Sequence, residues 1–592
     1  MKQITDCAGV PLPVFGKGTV ISCGEVAGAR PAGSVFLLTV RLAADAAEPV
    51  AGQFYLLRSE PSGVLLGRPI SVYTANRAAD GVSLAFLILK KGAGTQELCA
   101  VRPGDGIEVL GPLGNTFPAP RADDRACIAG GGIGIAPVAG FATTLPDGSY
   151  DFYASFKSGS YGLEHIAAKN LIVTTDDGSE GSRGMISAAL TADVIRQRGY
   201  TVLYACGPTP MLAYLQGICA QAGIRAYLSM ENRMACGVGA CLGCTIATTQ
   251  GNKRCCKDGP VFDGATLDFT PPKDRPIRLL PLPSEPDLSV DIAGVRFSNP
   301  VIAASGTFGY GSEYASVFDV NKLGGICSKG LTLQARGGNT GIRLVETPSG
   351  LINSIGLENP GIDHFIQHEL PTMLRLRPVT IANLSGSSLE TYVEGARLLD
   401  ATDVPMIELN ISCPNVKAGG MAFGMDCAAA ASVTKAVRAA TKKPLMVKLT
   451  PNAPDLVGIA LAVREAGADA ISLVNTFQAL AIDLNTGRPV FDNVRAGLSG
   501  PAVKPIALRM VYDVVQAISR LPERERIPVV GLGGIATWQD AVEFLLAGAA
   551  AVQVGTATFA NPLAMTQIAD GIAAWMKAKG FRTIAEFRGM AQ

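Results

Sequence analysis

The second half of the chain contains eight short apolar runs, and helical patterns such as VTKAVRAATK and ALRMVYDVVQAISR lie between several of them. A strand followed by a helix, repeated eight times, is the pattern of a (β/α)8 barrel. The runs read as apolar throughout, which is typical of a parallel sheet covered on both faces. They end at Ser305, Gly330, Leu384, Ser412, Leu449, Thr476, Gly534 and Ala557. The sequence therefore predicts a (β/α)8 TIM barrel in this half.

Polar or cationic side chains stand at the carboxyl ends of six of these runs, the edge where barrel enzymes keep their active sites. They are Ser305, Lys329, Asn383, Asn410, Lys448 and Asn475. The last two runs end in Gly533–Gly534 and Gly555–Thr556, and such turns offer backbone amides to a phosphate. A single strand-end lysine also fits a side chain that reaches solvent. The whole set predicts a flavin mononucleotide (FMN) site, with Lys448 beside the electron-rich pyrimidine edge.

Two further segments bring amides and a thiol to the same edge. The loop Asn353–Asn359 is rich in amides, which donate and accept hydrogen bonds and suit the alternating N–H and C=O edge of a pyrimidine ring. Cys413 comes just after the fourth run, between Asn410 and Asn415. A thiol there is either a buried structural residue or a general base, because a thiolate removes protons well when its pKa lies near the working pH. Its position in a loop favours the base.

Four cysteines in the first half follow the spacing C-x4-C-x2-C, with the fourth after eleven more residues; they are Cys236, Cys241, Cys244 and Cys256. This is the plant-type spacing of a 2Fe–2S cluster. Structural zinc favours two C-x2-C pairs, and only one is present here. Disulfide frameworks belong to small secreted domains, whereas this chain is long and opens without an apolar segment of signal-peptide length. An iron–sulfur cluster, and hence electron transfer, is the favoured interpretation.

Before the cysteines, short alternating segments such as VFLLTVRLA and VSLAFLILKK predict a small antiparallel β-barrel over residues 14–120. A buried strand then runs into the turn ACIAGGGIGIAP, and a glycine-rich turn before a helix brings amides to a pyrophosphate. A later strand ends in Cys-Gly-Pro. Glycine turns also occur without nucleotides, so the prediction of a nucleotide-binding α/β domain over 121–228 depends on the whole set.

The first half of the chain resembles the ferredoxin-reductase superfamily. The resemblance rests on five features in this order: the barrel, the RPIS segment, the glycine turn, the CGP segment and a cysteine loop ending in KDGPVF. Within it, they resemble the electron-transfer subunit of dihydroorotate dehydrogenase B, with FAD and NAD⁺ as implied cofactors. The implied FAD contacts are Arg68, Pro69, Ile70, Ser71, Leu87, Ile88, Leu89, Gly94 and Thr95. The implied nicotinamide-nucleotide contacts are Gly132, Gly134, Cys206, Gly207 and Pro208. Taken alone, Arg68 also fits a surface ion pair. Cys256, directly before KDGPVF, is implied as the fourth cluster ligand rather than its neighbour Cys255.

Over residues 287–590, the segments NSIGL, ELNISCPNV, KLTPN, GLGG and VGTA resemble the catalytic subunit of the family-1 dihydroorotate dehydrogenases. The resemblance implies that Cys413 removes the C5 proton of dihydroorotate while a hydride leaves C6 for FMN. The implied substrate-binding residues are Lys329, Asn353, Ser354, Ile355, Gly356, Leu357, Asn410, Asn475 and Thr476. The implied FMN-binding residues are Ser305, Lys329, Asn383, Asn410, Lys448, Val474, Gly500, Gly533, Gly534, Gly555 and Thr556.

Together the resemblances imply a fusion of two ordinarily separate subunits, which oxidises (S)-dihydroorotate to orotate with NAD⁺. Electrons would pass from FMN through the cluster to FAD, and the barrel domain would form a homodimer. One alternative is a related NAD(P)-linked dihydropyrimidine dehydrogenase, although Lys329 favours a substrate with a carboxylate. Another is an electron carrier whose barrel only binds flavin or a partner, which Cys413 and the amides disfavour. The choice of NAD⁺ over NADP⁺ depends on the resemblance, because only Asp151 is a candidate for the acidic residue expected after the glycine turn.

Composition narrows the partners and the compartment. The net charge is +1, and no basic run indicates nucleic acid or a membrane surface. The hydrophobic fraction is 48%, but Gly548, Gly555 and Pro562 interrupt the longest uncharged stretch, so no membrane span is expected. Fourteen cysteines without an export signal suit a reducing cytoplasm. A proline-rich segment, residues 271–286, is predicted to link a cluster domain (229–270) to the barrel domain (287–592).

Overall fold

The structure is a computed structural model that describes residues 13–29, 34–270, 281–412 and 423–592. The chain divides into two compact units, Met1–Asp274 and Arg275–Gln592. Most of the predicted proline-rich linker lies outside the described residues. The finer domain bounds within the first unit remain predictions from the sequence.

The first unit begins with an antiparallel sheet. Its strands are β1 (Val14–Glu25), β2 (Val35–Leu42), β3 (Phe54–Ser59), β4 (Arg68–Ser71), β5 (Thr74–Ala78), β6 (Gly81–Leu89) and β7 (Gly106–Leu113). They pair in the order β4-β3-β7-β1-β2-β6-β5, and the two end strands, β4 and β5, follow each other directly in the chain. Alternate residues such as Leu38, Val40 and Leu84 are buried against one another, as the alternating pattern predicts. Helix α1 (Ala93–Ala100) follows β6.

A second seven-stranded sheet follows in the first unit. Its strands are β8 (Ala126–Gly131), β9 (Tyr150–Phe156), β10 (Asn170–Thr175), β11 (Ser182–Arg183), β12 (Val202–Cys206), β13 (Arg225–Ser229) and, after the hairpin β14 (Thr245–Ile246) and β15 (Lys253–Arg254), β16 (Val261–Asp263). The accompanying helices are α2 (Ile135–Ala142), α3 (Ala192–Arg198) and α4 (Thr209–Ala222). The order is β11-β10-β9-β8-β12-β13-β16, with every pairing parallel except that of β16. The cysteine-bearing loop thus leaves the sheet at β13 and returns to it at β16.

The second unit is built around a closed parallel barrel. The strands of this unit are β17 (Val290–Ile292), β18 (Val295–Phe297), β19 (Val301–Ala303), β20 (Gly325–Cys327), β21 (Leu344–Thr347), β22 (Gly350–Asn353), β23 (Val379–Leu384), β24 (Met406–Asn410), β25 (Leu445–Lys448), β26 (Ala470–Leu473), β27 (Phe477–Ala479), β28 (Ile482–Asp483), β29 (Arg488–Pro489), β30 (Ala496–Ser499), β31 (Val529–Leu532) and β32 (Ala551–Val554). Eight of them close the barrel in the order β19-β20-β23-β24-β25-β26-β31-β32, and each lies in one of the eight predicted runs. A smaller sheet, β21-β22-β30-β27, is made from the loops.

Helices lie between most of the barrel strands, as the alternation predicts. They are α5 (Ile362–His364), α6 (Leu370–Met373), α7 (Leu389–Asp400), α8 (Cys427–Ala440), α9 (Leu456–Glu465), α10 (Lys504–Ser519), α11 (Trp538–Leu546), α12 (Ala557–Ala560) and α13 (Ala564–Lys579). Ser388 and Thr537 cap α7 and α11 by accepting backbone amides, which satisfies donors that the first helical turn leaves free. No helix of the described residues combines the length and apolar character needed to cross a bilayer.

The expectation that the barrel strands are apolar throughout is wrong at the centre of the barrel. Glu408, Ser472 and Gln553 are buried strand residues, each no more than 1% exposed. Successive side chains of a strand point to opposite faces, so Glu408 shares a face with Asn410 two residues later. A polar layer therefore lies beneath the carboxyl edge of the barrel.

Candidate active site

A cavity of 370 Å³ opens at the carboxyl edge of the barrel. It is lined by most of the barrel residues predicted from the sequence: Ser305, Lys329, Asn353, Ser354, Ile355, Gly356, Leu357, Asn410, Lys448, Val474, Asn475, Thr476, Gly500, Gly533, Gly534, Gly555 and Thr556. These residues are spread over about 250 positions of sequence, and the closure of the barrel brings them together. Cys413, the predicted base, lies outside the described residues.

Asn383 was expected in the same set, but it is fully buried and does not line the cavity. Its amide nitrogen donates to Glu408 at 2.5 Å, and its carbonyl oxygen accepts from Asn410 at 3.3 Å. Asn410 in turn accepts from the Ser412 hydroxyl, which accepts from the amide of Asn475. Asn383 is thus the inner end of a hydrogen-bonded chain that fixes Asn410 and Asn475 at the cavity wall.

The glycines after the seventh strand form a cradle at the start of α10. Gly533 and Gly534 have φ values of +115° and +75°, which L-residues with a side chain rarely adopt. A Cβ on Gly534 would lie 2.5 Å from the backbone nitrogen of Lys504, the first residue of α10. Gly500, with φ of +95°, lies just before the short 3-10 turn that enters this helix. Backbone amides at the start of a 16-residue helix, approached closely by glycine, suit a phosphate.

The amide-rich loop begins at the end of β22 and lines the opposite wall. Asn353 donates to the carbonyl oxygen of Gly497 at 3.2 Å, and the Ser354 hydroxyl accepts from Asn339 at 3.0 Å. Asn359 is buried and holds the loop itself, because its side chain bonds the backbone of Thr332 and Gly361. Lys329 forms no salt bridge with any described residue, although it lines the cavity. The Glu358 carboxyl, which pairs with Arg343, also lines the cavity, and Arg343 and then Lys329 lower its pKa.

In the first unit, the predicted FAD contacts meet at the start of α1. A Cβ on Gly94 would fall on the guanidinium group of Arg68, so only glycine lets this arginine lie over the helix end. Thr95 accepts from the backbone nitrogen of Gly92 at 3.0 Å and caps the helix. Arg68 begins β4, and Leu87–Leu89 end β6. An arginine held against a helix N-terminus can bind a pyrophosphate.

The glycine turn and the Cys-Gly-Pro segment also meet. They follow the neighbouring parallel strands β8 and β12, so both lie at the same sheet edge. A Cβ on Gly134 would lie 2.7 Å from the backbone of Cys206 and Gly207. This close approach of two backbones leaves a glycine-lined edge that fits a nicotinamide nucleotide.

Asp151 does not lie at that edge, which corrects its reading as the acidic residue after the glycine turn. It pairs in register with Cys127, near the start of β8, four residues before Gly131. That separation is about 13 Å along a strand. Its carboxylate is 2% exposed and already accepts from Tyr200 at 2.6 Å and Asn170 at 2.7 Å. Asp151 is a structural residue at the far end of the sheet.

The four predicted cluster ligands form two pairs on one loop. The Cys241 amide approaches the Cys236 sulfur at 3.4 Å, and the Cys256 amide approaches the Cys244 sulfur at 3.4 Å. The thiols of each pair also contact each other. No three His, Cys, Asp or Glu side chains of the described residues converge as ligands of a single metal ion. Two thiol pairs fit a binuclear cluster, in which each iron takes two thiolates.

Backbone amides of this loop lower the pKa of Cys236 and distinguish Cys256 from its neighbour Cys255. Although burial by itself raises the pKa of Cys236, amides of Cys241 and Val238 bring it to about 6. The Gly239 amide donates to the Cys256 sulfur at 3.1 Å. The Cys255 thiol points elsewhere, donating to the carbonyl oxygen of Met230 at 3.1 Å, whereas burial raises the pKa of Cys255 and of Cys256 alike to about 12. These hydrogen bonds favour Cys256 over Cys255 as the fourth ligand.

Residues 287–576 match the family model described as dihydroorotate dehydrogenase, and residues 231–268 match that of the iron–sulfur cluster binding domain of dihydroorotate dehydrogenase B. The chain is 53% identical over 304 residues to the catalytic subunit of dihydroorotate dehydrogenase B (NAD(+)) of Petrotoga mobilis, covering 51% of this chain and 99% of the relative. It belongs to the dihydroorotate dehydrogenase family. The corresponding subunits of Caldicellulosiruptor saccharolyticus and Bacteroides thetaiotaomicron are 50% and 49% identical, each over 51% of this chain and 98% of the relative.

Several residues at the cavity of this dihydroorotate dehydrogenase family member were not predicted from the sequence. Gln553 lines it from β32, and its Oε1 atom has no hydrogen-bond partner among the described residues. Arg336 and Arg495 lie at its exposed rim. Glu408 lies directly beneath it. A glutamate inside an apolar strand was a visible signal, whereas nothing in the sequence marks the loop arginines.

Three observations indicate that the barrel cavity of this protein fits FMN. The glycine cradle can take the phosphate, Lys448 presents a buried cation, and the Gln553 Oε1 atom has no hydrogen-bond partner among the described residues. The Arg68–Gly94 contact fits FAD, and the paired thiols fit a 2Fe–2S cluster. In each case the match is between the cofactor's chemistry and donors or acceptors that the protein itself supplies.

Proposed function

We propose that this protein oxidises (S)-dihydroorotate to orotate with NAD⁺ as the final acceptor. The observation that carries the proposal is the convergence on one barrel cavity of Lys329, which forms no salt bridge with a described residue, the amides of Asn353, Asn410 and Asn475, and a glycine cradle. Membership of the dihydroorotate dehydrogenase family and the match to a cluster-binding domain support it. The net change is dihydroorotate plus NAD⁺ to orotate, NADH and a proton.

The substrate is expected to bind between Lys329 and the amide wall. The ammonium of Lys329 pairs with the carboxylate of dihydroorotate, which uracil-type substrates lack. Asn353, Asn410 and Asn475 offer both donors and acceptors to the N–H and C=O groups of the ring. The chain of hydrogen bonds through Ser412 holds two of these amides in place before the substrate arrives.

The proton is expected to leave through Cys413, which follows the Asn410–Ser412 segment in the sequence. Its thiolate takes the proton from C5 of dihydroorotate, the C6 hydrogen departs with its electron pair, and the C5=C6 double bond forms. FMN, the 2Fe–2S cluster and FAD, when bound, supply the path by which the two electrons reach NAD⁺. Lys448, Gly533 and Gly534 would hold the FMN, while Arg68 and the start of α1 would hold the FAD.

An anaerobic titration tests this function. L-Dihydroorotate should bleach the flavin and iron–sulfur absorbance of the purified protein, and NAD⁺ should restore it with one orotate formed per NADH. Dihydrouracil should bleach neither, because it lacks the carboxylate. Bleaching by NADH but not by dihydroorotate would refute the proposed substrate and leave the first unit as a diaphorase.

A cysteine variant tests the base. C413A should lose dihydroorotate oxidation while keeping NADH-to-dye activity, because the first unit is untouched. C427A is the matched control, since Cys427 begins α8 and does not line the cavity. Equal dihydroorotate turnover in C413A and C427A would contradict the assignment. The homodimer through the barrel domain remains a further prediction, and light scattering of the full chain measures it.

A further inference from the structure

A fully buried carboxylate lies at the centre of the barrel, and the function described above does not use it. Glu408 is 0% exposed. Its Oε1 atom accepts from Ser472 at 2.8 Å and from Gln553 at 2.7 Å. Its Oε2 atom accepts from Asn383 at 2.5 Å and from the Cys327 thiol at 3.3 Å. Burial of a carboxylate is costly, so a set of donors from several strands indicates that the fold retains a charge there.

Every group around the carboxylate favours its ionised form. The Lys448 ammonium lies 3.7 Å from Oε2, and its side chain is only 5% exposed. Although burial by itself raises the pKa of Glu408, Lys448 and the hydrogen bonds from Gln553 and Ser472 hold it below the ordinary value. Glu408 and Lys448 thus form a buried pair with no net charge.

This pair connects directly to the cavity. Lys448 and Gln553 line the cavity and contact Glu408 from above, whereas Glu408 itself does not reach it. A flavin seated on the cavity floor would therefore face the cation with the carboxylate one side chain further away. Little salt or water screens a charge at this depth, so the carboxylate acts on whatever lies above it.

We propose that Glu408 is a positioning residue that offsets the charge of Lys448 and keeps the reduction potential of the bound flavin low enough for a nicotinamide acceptor. The inference deepens the proposed function and depends on FMN occupying this cavity. Two-electron reduction adds negative charge to the pyrimidine end of a flavin. A lone lysine there stabilises the reduced form and raises the potential, whereas a carboxylate behind the lysine opposes that effect.

The test is the potential of the FMN in the variant E408Q. The full chain is stripped of flavin, reloaded with one equivalent of FMN and equilibrated with reference dyes. We expect E408Q to favour reduced flavin at least tenfold more than the native protein, which is a positive shift of about 30 mV for a two-electron couple. Its dihydroorotate–NAD⁺ activity should fall while dihydroorotate–dye activity remains.

Two further variants separate charge from packing. S472A removes a hydrogen bond to Glu408 without changing charge, so its potential should equal that of the native protein. The swap E408Q/Q553E reverses the 2.7 Å hydrogen bond and returns a carboxylate to the network, nearer the cavity. Its potential should lie at or below the native value. If E408Q does not fold, the measurement on E408Q/Q553E decides the question. A potential of this double variant about 30 mV or more above the native value, equivalent to a tenfold preference for reduced flavin, would overturn the proposal.

An E408Q potential equal to that of S472A would also overturn the role of Glu408. The dye equilibration uses no dihydroorotate, so that result leaves the substrate assignment standing. Failure of the native chain to bind FMN would instead refute the proposed function itself.

Discussion

Replacing Lys448 with methionine leaves a carboxylate buried in the barrel without its cationic partner. The two charged atoms are 3.7 Å apart, with side chains 5% and 0% exposed. At that separation and an effective dielectric constant of ~20, the pair interacts by about 4.5 kcal/mol. Removal of one partner of a buried pair typically costs ~3–5 kcal/mol. We therefore expect K448M to lower the free energy of unfolding of the second unit by about 4 kcal/mol at neutral pH.

The sign of the pH dependence follows from Glu408. In the native protein its pKa is lowered, so its stabilising contribution is present above the unfolded pKa and is lost as the pH falls. In K448M, burial dominates and raises the folded pKa above the unfolded value of about 4.3. The penalty is then largest at neutral pH and disappears as the carboxyl becomes protonated in both states. The stability gap between native protein and K448M should therefore narrow as the pH falls from neutral toward the unfolded pKa of about 4.3.

Tryptophan fluorescence isolates the relevant unit, because both tryptophans of the chain, Trp538 and Trp575, lie in the second unit. Urea titrations of flavin-free protein at several pH values give the two stabilities. K577M is the control, since Lys577 is 41% exposed and pairs with Glu285 at the surface, where ion pairs contribute little. Equal stability of K448M and K577M, or a gap that widens on acidification, would refute the reasoning.

Two other predictions concern the first unit. G94A places a methyl group on the Arg68 guanidinium, so we expect at least tenfold weaker FAD binding, measured as the FAD-to-protein ratio after gel filtration. G217A is the control, because a Cβ at this position meets open space, and it should retain FAD. Equal retention of FAD by G94A and G217A would argue against the Arg68 site. C256S should lose the iron content and visible absorbance of the cluster, whereas C255S should keep both, because the Cys255 thiol bonds the Met230 carbonyl instead. Loss of iron in C255S alone would reverse that assignment.

The architecture of both units was largely readable from the sequence. All eight barrel strands and the antiparallel and parallel sheets of the first unit appear where the apolar runs predicted them. The polar strand ends also converge as expected, because parallel strands of a closed barrel must end at one edge. Asn383 departs from this pattern, since its inward side chain bonds Glu408 instead of lining the cavity. Asp151 also differs from the prediction. It follows the glycine turn in the sequence, but the pairing of β9 with β8 places it opposite Cys127, four residues before Gly131.

Local sequence patterns are enough to specify which elements form and which residue types reach the carboxyl edge, because periodicity and strand–helix alternation are local properties. Which side chains meet depends instead on how the chain folds in three dimensions. The ion pair of Glu408 and Lys448, the contact of Gly94 with Arg68 and the pairing of the cysteine thiols depend on distances between segments that are separate along the chain. Such distances are fixed when the barrel closes and the sheets pack, and no local pattern encodes them.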